Sequence, residues 1–395
     1  MPDGYTRAMP TPPIGRACDP AARQDLRWDL FCVVVDNLGD AAIGWRLARQ
    51  LAAEHAMAPR LWIDRPEALA AMVPGAGPGR CVDGVRIERL DPADPRLART
   101  APDDVADVVV GLLAGAPPPA YRAAMRARSR RPAWIAFEYL SAEPWVATHH
   151  GLPSPKPDGL VEHFFFPGFE PATGGLLREA DLLARRDAHA APGRRAARDA
   201  LCATLGIERP GDARLASLFC YPDAAVGPLL DAFAARPERW RVLVPPGVAP
   251  SAAGHPVAVP VPFVPQRDYD PLLWSCDLNL VRGEDSFVRA LWAGRPMVWQ
   301  AYRQPEGAHR AKVEAFVAAW IRDAAPAPAA ARAFAAMHAA WNAEAGDAAA
   351  RVPAALPTVL DALDALGESG ARWIATHAAT PDLATRLVAF ARERL

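Results

Sequence analysis

The chain has 395 residues, 51% of them hydrophobic, and its 44 Lys and Arg nearly balance 45 Asp and Glu for a formal net charge of −1. That length is more than one compact core usually serves and points to two domains. The charge balance argues against a whole-surface basic face for nucleic acid, and no run approaches the roughly eighteen uninterrupted apolar residues of a membrane span.

Met1 to about Gln24 is rich in Pro, Ala and Arg, with Pro at positions 2, 10, 12, 13 and 20. It lacks the apolar core of a signal peptide, and residues 1–27 are expected to be a disordered extension. Cys18, Cys32, Cys81, Cys202, Cys220 and Cys276 are scattered, with no C-x-x-C pair. That usage fits a reducing cytoplasm and offers no zinc site.

Phe31-Cys32-Val33-Val34-Val35 reads as a buried strand, Asp36-Asn37-Leu38-Gly39-Asp40 as its turn, and about Ala41 to His55 as a helix with Ile43, Leu47 and Leu51 on one face. Two carboxylates, Asp36 and Asp40, therefore stand at the C-terminal end of a first strand, the edge where open α/β sheets bind ligands. A turn hydrogen bond and a helix cap are the plain structural roles open to the same pair. The turn has no G-x-G-x-x-G, so a nicotinamide cofactor is not expected. Further strands are expected at residues 61–63, 85–87, 108–113 and 134–137, several of them separated by helical patterns.

A charged, Ala-rich helical stretch at residues 178–206 reads as a bridge, after which strands restart at 216–221, 242–244, 257–264, 278–281 and 297–299. Alternating strands and helices indicate parallel sheets covered on both faces, and two such halves leave a cleft between them. The loop after residues 278–281 is the densest in chemistry. Gly283 permits a sharp turn, and Asp285 or Ser286 can cap the helix that Gly294 stops. The N–H groups at such a helix start suit a phosphate, and Arg282 adds a planar donor fork. Phe219 and Tyr221, two apart on an expected strand, face one side. Phe263, Gln266 and Tyr269 fall in the loop region before this helix. These aromatics serve either as a wall for a base or as ordinary core, and residue type leaves both open. No D-x-D metal motif stands out, because the acids at 91–94 and 268–270 read as turns. Asp382 to Leu395, with Leu383, Leu387 and Phe390 at helical spacing, is expected to pack back on the first domain.

These segments together resemble one family. They are Phe31-Cys32 with Val34-Val35-Asp36-Asn37-x-Gly39-Asp40, Trp45-Arg46-Leu47-Ala48-Arg49, and Glu138-Tyr139-Leu140-Ser141-Ala142-Glu143-x-Trp145-Val146. They continue with Phe164-Phe165-Phe166-Pro167-Gly168-Phe169, Thr173 to Glu179, Ser217 to Tyr221, and Arg282-Gly283-Glu284-Asp285-Ser286-Phe287-Val288-Arg289-Ala290 through Pro296. Over roughly residues 28 to 395 the chain is similar to the elongation factor P arginine rhamnosyltransferases, the EarP family.

The resemblance implies an α/β fold of the GT-B glycosyltransferase type, two Rossmann-like domains facing across a cleft. Residues 28–180 would form the acceptor domain, 181–375 the nucleotide-sugar domain, and 376–395 a C-terminal helix. It implies transfer of L-rhamnose, with inversion, from the co-substrate dTDP-β-L-rhamnose to an arginine of a protein partner, elongation factor P. No metal cofactor, nucleic acid or membrane is implied. Asp40 would be the base and Asp36 its orienting neighbour. Glu284 would accept sugar or ribose hydroxyls or polarise the acceptor arginine, its structural alternative being a salt bridge to Arg282 or Arg289. Arg282, Ser286 and the helix N–H groups would hold the diphosphate, Phe219 and Phe263 the base, and Gln266 the base edge. Asn37, Gly39, Tyr221, Tyr269, Gly283 and Asp285 would complete the substrate contacts. The chain departs from the family's usual residues at Val33, Leu38, Gly111 to Gly115 and Gln300, none of which is in the Arg-Gly-Glu-Asp-Ser loop or a site carboxylate. Two other functions share these features: a nucleotide-sugar epimerase or hydrolase on the same fold, and a silent nucleotide-sugar-binding module.

Overall fold

Eight strands make the first sheet: β1 (Arg27–Cys32), β2 (Ala58–Ile63), β3 (Cys81–Val82), β4 (Val85–Arg89), β5 (Val108–Leu112), β6 (Ala133–Phe137), β7 (Pro153–Pro155) and β8 (Val161–Phe165). The computed structural model describes residues 26–395 except Asn37, Pro305 and Glu306, so the expected extension up to residue 25 lies outside the described residues. The strand order is β3-β4-β2-β1-β5-β6-β8-β7, with only the edge pairs β3–β4 and β7–β8 antiparallel. β1 lies between β2 and β5, and Trp28, Leu30, Phe31 and Cys32 are fully buried. Strands buried on both faces read as continuous apolar runs. Five more strands, β9 (Arg214–Leu218), β10 (Trp240–Val244), β11 (Ala258–Pro260), β12 (Leu278–Arg282) and β13 (Met297–Gln300), form an all-parallel second sheet in the order β11-β10-β9-β12-β13.

Strand ends differ from the sequence expectation where side chains capture the backbone. β1 stops at Cys32 because the Val34 N–H donates to Asp64 Oδ1 at 2.9 Å and the Val35 N–H to Asp40 Oδ2 at 2.8 Å. β9 stops at Leu218, and the Tyr221 N–H donates instead to Gln300 Oε1 at 2.8 Å. Only β11 survives of the expected strand at 257–264, since Pro260 and Pro262 remove ladder donors. Asp268 and Asp270 belong to the Gln266–Ser275 helix rather than to a turn. The short antiparallel pair β7–β8 carries mixed polar residues at an exposed edge, and its periodicity gives no clear signal.

Helices Leu182–Ala190 and Arg194–Leu205 lead from the first sheet to the second. The Leu383–Arg392 helix returns to the first half: Phe390 packs 5.3 Å from the Phe165 ring, and the Leu383 N–H donates to Leu176 O at 3.0 Å. Among the described residues no helix is long and apolar enough to cross a membrane.

The halves are joined by a buried ionic network. Arg46, on the Gly39–His55 helix, has no solvent exposure. Its Nε and Nη2 each donate to Glu179 at 2.8 Å, and its Nη1 donates to Asp285 at 3.1 Å. Asp285 also accepts from Arg289 Nε at 2.9 Å, and Arg289 Nη1 reaches Asp270 at 2.9 Å. Burial alone would push the Glu179 carboxyl up, but Arg46, Arg289 and Arg49 hold it well below the usual range. Arg46→Ala is expected to lower the unfolding free energy by about 3–5 kcal/mol, because it takes the shared cation from two buried carboxylates and leaves each with one arginine. Equilibrium denaturation measures this, and a loss below about 1 kcal/mol, the scale of an exposed pair, would refute the network's role.

Candidate active site

Three loops meet at the facing C-terminal edges of the sheets. The first leaves β1 and enters the Gly39–His55 helix. Asp40 lies in that helix's first turn, where its Oδ2 accepts the N–H groups of Val35 at 2.8 Å and Asp36 at 2.9 Å. The residue thus ties the loop to the helix without capping it, since the helix start has no side-chain cap, and Oδ1 has no hydrogen-bond partner among the described residues. Burial pushes its carboxyl up to about 6; the two backbone bonds pull it down, and the Asp36 and Glu284 charges raise it further. A carboxylate tuned that way is a stronger base than a solvated one.

Asp36 Oδ2 accepts the Tyr221 hydroxyl at 2.6 Å, a bond between the two halves. Burial raises this carboxyl, with Tyr221 and Arg282 acting against the rise. A Cβ on Gly39 would sit 2.7 Å from the same oxygen, and one on Gly283 3.0 Å. Gly283 also has φ at 63°. The carboxylate and the turn therefore dictate both glycines.

The loop after β12 supplies the cation. The Arg282 guanidinium lies 4.6 Å from the Phe219 ring centroid and 4.7 Å from that of Tyr221, and it makes no ion pair among the described residues. Neither Asp285 nor Ser286 caps the following helix. Its N-cap is Glu284, whose side chain makes no capping hydrogen bond to the first turn of Asp285–Ala293. Open N–H groups beside an unpaired arginine suit an anion.

Asp36, Gly39, Phe219, Phe263, Gln266, Tyr269, Arg282, Gly283, Asp285 and Ser286 line one cleft. Phe263 is 40% exposed, on the cleft wall and not in the core. Leu38, Ala42, Met72, Pro245, Pro262, Val264 and Leu272 complete the walls; as ordinary apolar residues they carry no signal of their own. Asn37 lies outside the described residues.

Four side chains are committed differently from the sequence expectation. Gln266 sits in the Gln266–Ser275 helix with Tyr269, and its Nε2 donates to Ala42 O and to Asp285, each at 3.0 Å. Both Asp285 oxygens are bonded within the ionic network. Tyr221 turns its hydroxyl to Asp36 and does not line the cleft. Glu284 pairs with neither Arg282 nor Arg289: its Oε1 accepts Lys312 Nζ at 2.8 Å and its Oε2 the Leu140 N–H at 3.1 Å. Lys312 lies 28 residues beyond Glu284 in sequence, on a different helix, so no local spacing links them. Among the described residues no three His, Cys, Asp or Glu side chains are grouped to hold a metal ion.

The raised Asp40 carboxyl has a consequence for stability. Its folded value of about 6 exceeds the ordinary 3.8, so the folded state binds this proton more tightly than the unfolded state does. The group's contribution is therefore lost as pH rises through its folded value. Asp40→Asn removes this penalty. Its stability relative to the parent chain is expected to improve by on the order of 1 kcal/mol between about pH 5 and pH 8. Melting curves of both proteins at the two pH values check it, and a pH-independent difference would refute the raised value.

Comparisons with known proteins give the family. A family model described as elongation factor P (EF-P) rhamnosyltransferase EarP matches residues 28–392. A protein-arginine rhamnosyltransferase of Pseudomonas putida is 44% identical over 393 residues, covering 93% of this chain and 99% of that protein. One of Pseudomonas aeruginosa is 44% identical over 383 residues, covering 92% and 98%. A solved structure described as the structural basis for EarP-mediated arginine glycosylation of translation elongation factor EF-P superposes with a TM-score of 0.63 at 32% identity, covering 94% of this chain and 100% of that one. The spinosyn rhamnosyltransferase SpnG, at 12% identity and a TM-score of 0.53 over 92% of this chain and 99% of its own, shares the fold alone. With the family model matched from residue 28 to 392 and relatives 44% identical across almost their whole length, the chain belongs to the EarP family of protein-arginine rhamnosyltransferases, glycosyltransferases of the GT-B fold.

Proposed function

We propose that the chain moves L-rhamnose from dTDP-β-L-rhamnose to an arginine side chain of elongation factor P, with inversion at the anomeric carbon. One observation carries the reading. Carboxylates from both halves, Asp36, Asp40 and Glu284, influence one another, and Asp36 lines one cleft with Ser286 and with Arg282, which has no ion pair among the described residues. The names of the similar proteins support the acceptor and the sugar.

An arginine guanidinium has a pKa above about 12 and delocalised lone pairs, so it is a poor nucleophile until a proton is drawn from it. Asp40, with Oδ1 open and its pKa raised, is the group assigned to take that proton. Asp36 and Glu284 accept the remaining N–H groups and fix the plane. The nitrogen attacks the anomeric carbon from the first half's side. The bond to the diphosphate oxygen breaks on the other side, with the electron pair leaving on the diphosphate. A single displacement of this kind inverts the carbon. Arg282, the Ser286 hydroxyl and the helix N–H groups take the leaving charge in a partly dry cleft, where such donors act strongly, and we assign this work to them without a metal. Phe263 and Phe219 flank the base. On this reading residues 28–180 form the acceptor half and 181–375 the donor half, and the protein works in the cytoplasm with its acceptor.

Incubation of elongation factor P with the chain and dTDP-β-L-rhamnose is expected to add a deoxyhexose residue of about 146 Da to one arginine, read by mass spectrometry. Free rhamnose released with no adduct would return the hydrolase reading. Asp40→Asn is expected to slow transfer by about 10²–10⁴-fold. In the parent chain the rate should fall as pH drops through about 6, where Asp40 takes up its proton. A flat profile there, or near-normal turnover of the variant, would remove Asp40 as base.

Thymidine diphosphate is expected to bind without acceptor. Phe263→Ala should weaken it by roughly 1–3 kcal/mol, the value of one stacking face. Arg282→Ala should weaken the diphosphate far more than thymidine, because it acts on charge. Calorimetry on both variants tests this. Equal losses for nucleoside and diphosphate would take Arg282 out of the phosphate site.

A further inference from the structure

We propose that Lys312 is a positioning residue for the transfer: a built-in cation that fixes Glu284 and offsets part of the negative charge of the acceptor pocket. The inference rests on the acceptor-site reading above. Lys312 stands on the Ala308–Ala324 helix, which carries none of the residues assigned so far. Its Nζ donates to Glu284 Oε1 at 2.8 Å and lies 5.5 Å from the centroid of the Tyr139 ring. The pair is largely shielded, at 16% and 13% side-chain exposure. The other Glu284 oxygen accepts the Leu140 N–H at 3.1 Å. One donor comes from each half of the molecule, so the carboxylate is held from both sides and has little freedom to turn.

The groups facing this pair come from several elements. Asp36 and Asp40 stand on the loop after β1, with the Cys32 thiol behind them. Tyr139 follows β6, Tyr221 follows β9, and Arg282 ends β12. With Arg282 assigned to the diphosphate, three carboxylates against Lys312 alone leave two negative charges around the acceptor guanidinium. Without Lys312 three remain. A more negative pocket holds protons more tightly, both on its own carboxylates and on the acceptor arginine. Such a pocket binds the arginine well but reacts slowly, because the attacking nitrogen must give up a proton. Lys312 therefore serves turnover more than acceptor binding.

The test uses the full chain with Lys312→Met, Lys312→Gln and Lys312→Arg. Rhamnose transfer to elongation factor P is followed across about pH 5 to 9, and thymidine diphosphate binding reports the fold. The two neutral variants are expected to lose about tenfold or more in kcat with KM for the acceptor unchanged or lower. The acid limb of their pH profile should move to higher pH, while Lys312→Arg recovers most of the rate. Neutral variants with kcat within about twofold of the parent chain and an unmoved acid limb overturn the proposal. Equal loss in all three variants with lowered melting temperatures also overturns it, since that outcome marks simple packing against Tyr139. A parent chain that transfers no rhamnose removes the acceptor-site reading, and this inference with it. An active parent chain whose neutral variants are unaffected removes the inference alone.

Discussion

A guanidinium with no access to water must find its partners inside the protein, and Arg46 finds them on two other segments. It rises from the first helix, takes Glu179 from the segment joining the halves, and takes Asp285 from the start of the donor-side helix. Asp285 in turn holds Arg289 and Gln266, and Gln266 reaches back to the Ala42 carbonyl at 3.0 Å. The start of one helix is thereby set against the start of the other. Both helices begin at the loops that carry the chemistry. Buried ion pairs tolerate little slack, because an unpaired member is costly. The spacing between the acidic loop and the Arg282 loop is thus fixed by residues that need touch no substrate.

Within that frame Tyr221 couples the two sides of the reaction. Its hydroxyl bonds Asp36 and its ring lies 4.7 Å from the Arg282 guanidinium. Arg282 also lowers the proton affinity of Asp36. A diphosphate that engages Arg282 must share that cation with Asp36. On the proposed assignment, donor binding at Arg282 and the acidity of Asp36 are therefore linked, with Tyr221 in contact with both. The two glycines pressed against Asp36 Oδ2 show how little room the arrangement leaves.

Much of this was legible in the sequence for a physical reason. Central parallel strands such as β1 and β12 are buried on both faces and appear as unbroken apolar runs, and each ends in a loop dense with polar groups. The site could be found by looking where those runs stop. Individual roles were harder to read. Asp285 looks like a helix cap because an acid near a helix start usually is one, yet tertiary pairing with Arg46 and Arg289 takes both its oxygens. Gln266 looks like a base reader, but its amide nitrogen is spent on Ala42 and Asp285. Lys312 looks like any surface lysine on an amphipathic helix. In each case the partner lies on another element, and only the fold brings the two together.

The shape of the acidic group also bears on why an arginine suits it and a lysine would not. An ammonium offers three donors around one point, whereas a guanidinium offers five in a plane. Asp36, Asp40 and Glu284 come from two different loops in opposite halves; Asp36 and Asp40 each have one oxygen fixed, by the Tyr221 hydroxyl and by two backbone N–H groups, and Glu284 has both, by Lys312 and the Leu140 N–H. Fixed in this way, the carboxylates cannot collapse around a compact cation. They favour a spread, planar one that meets several acceptors at once. The same fixing limits the repulsion that three neighbouring carboxylates would otherwise relieve by moving apart, so some of that repulsion remains as the raised proton affinity of Asp40. The feature that makes the residue a competent base is thus the one that costs the fold stability at neutral pH.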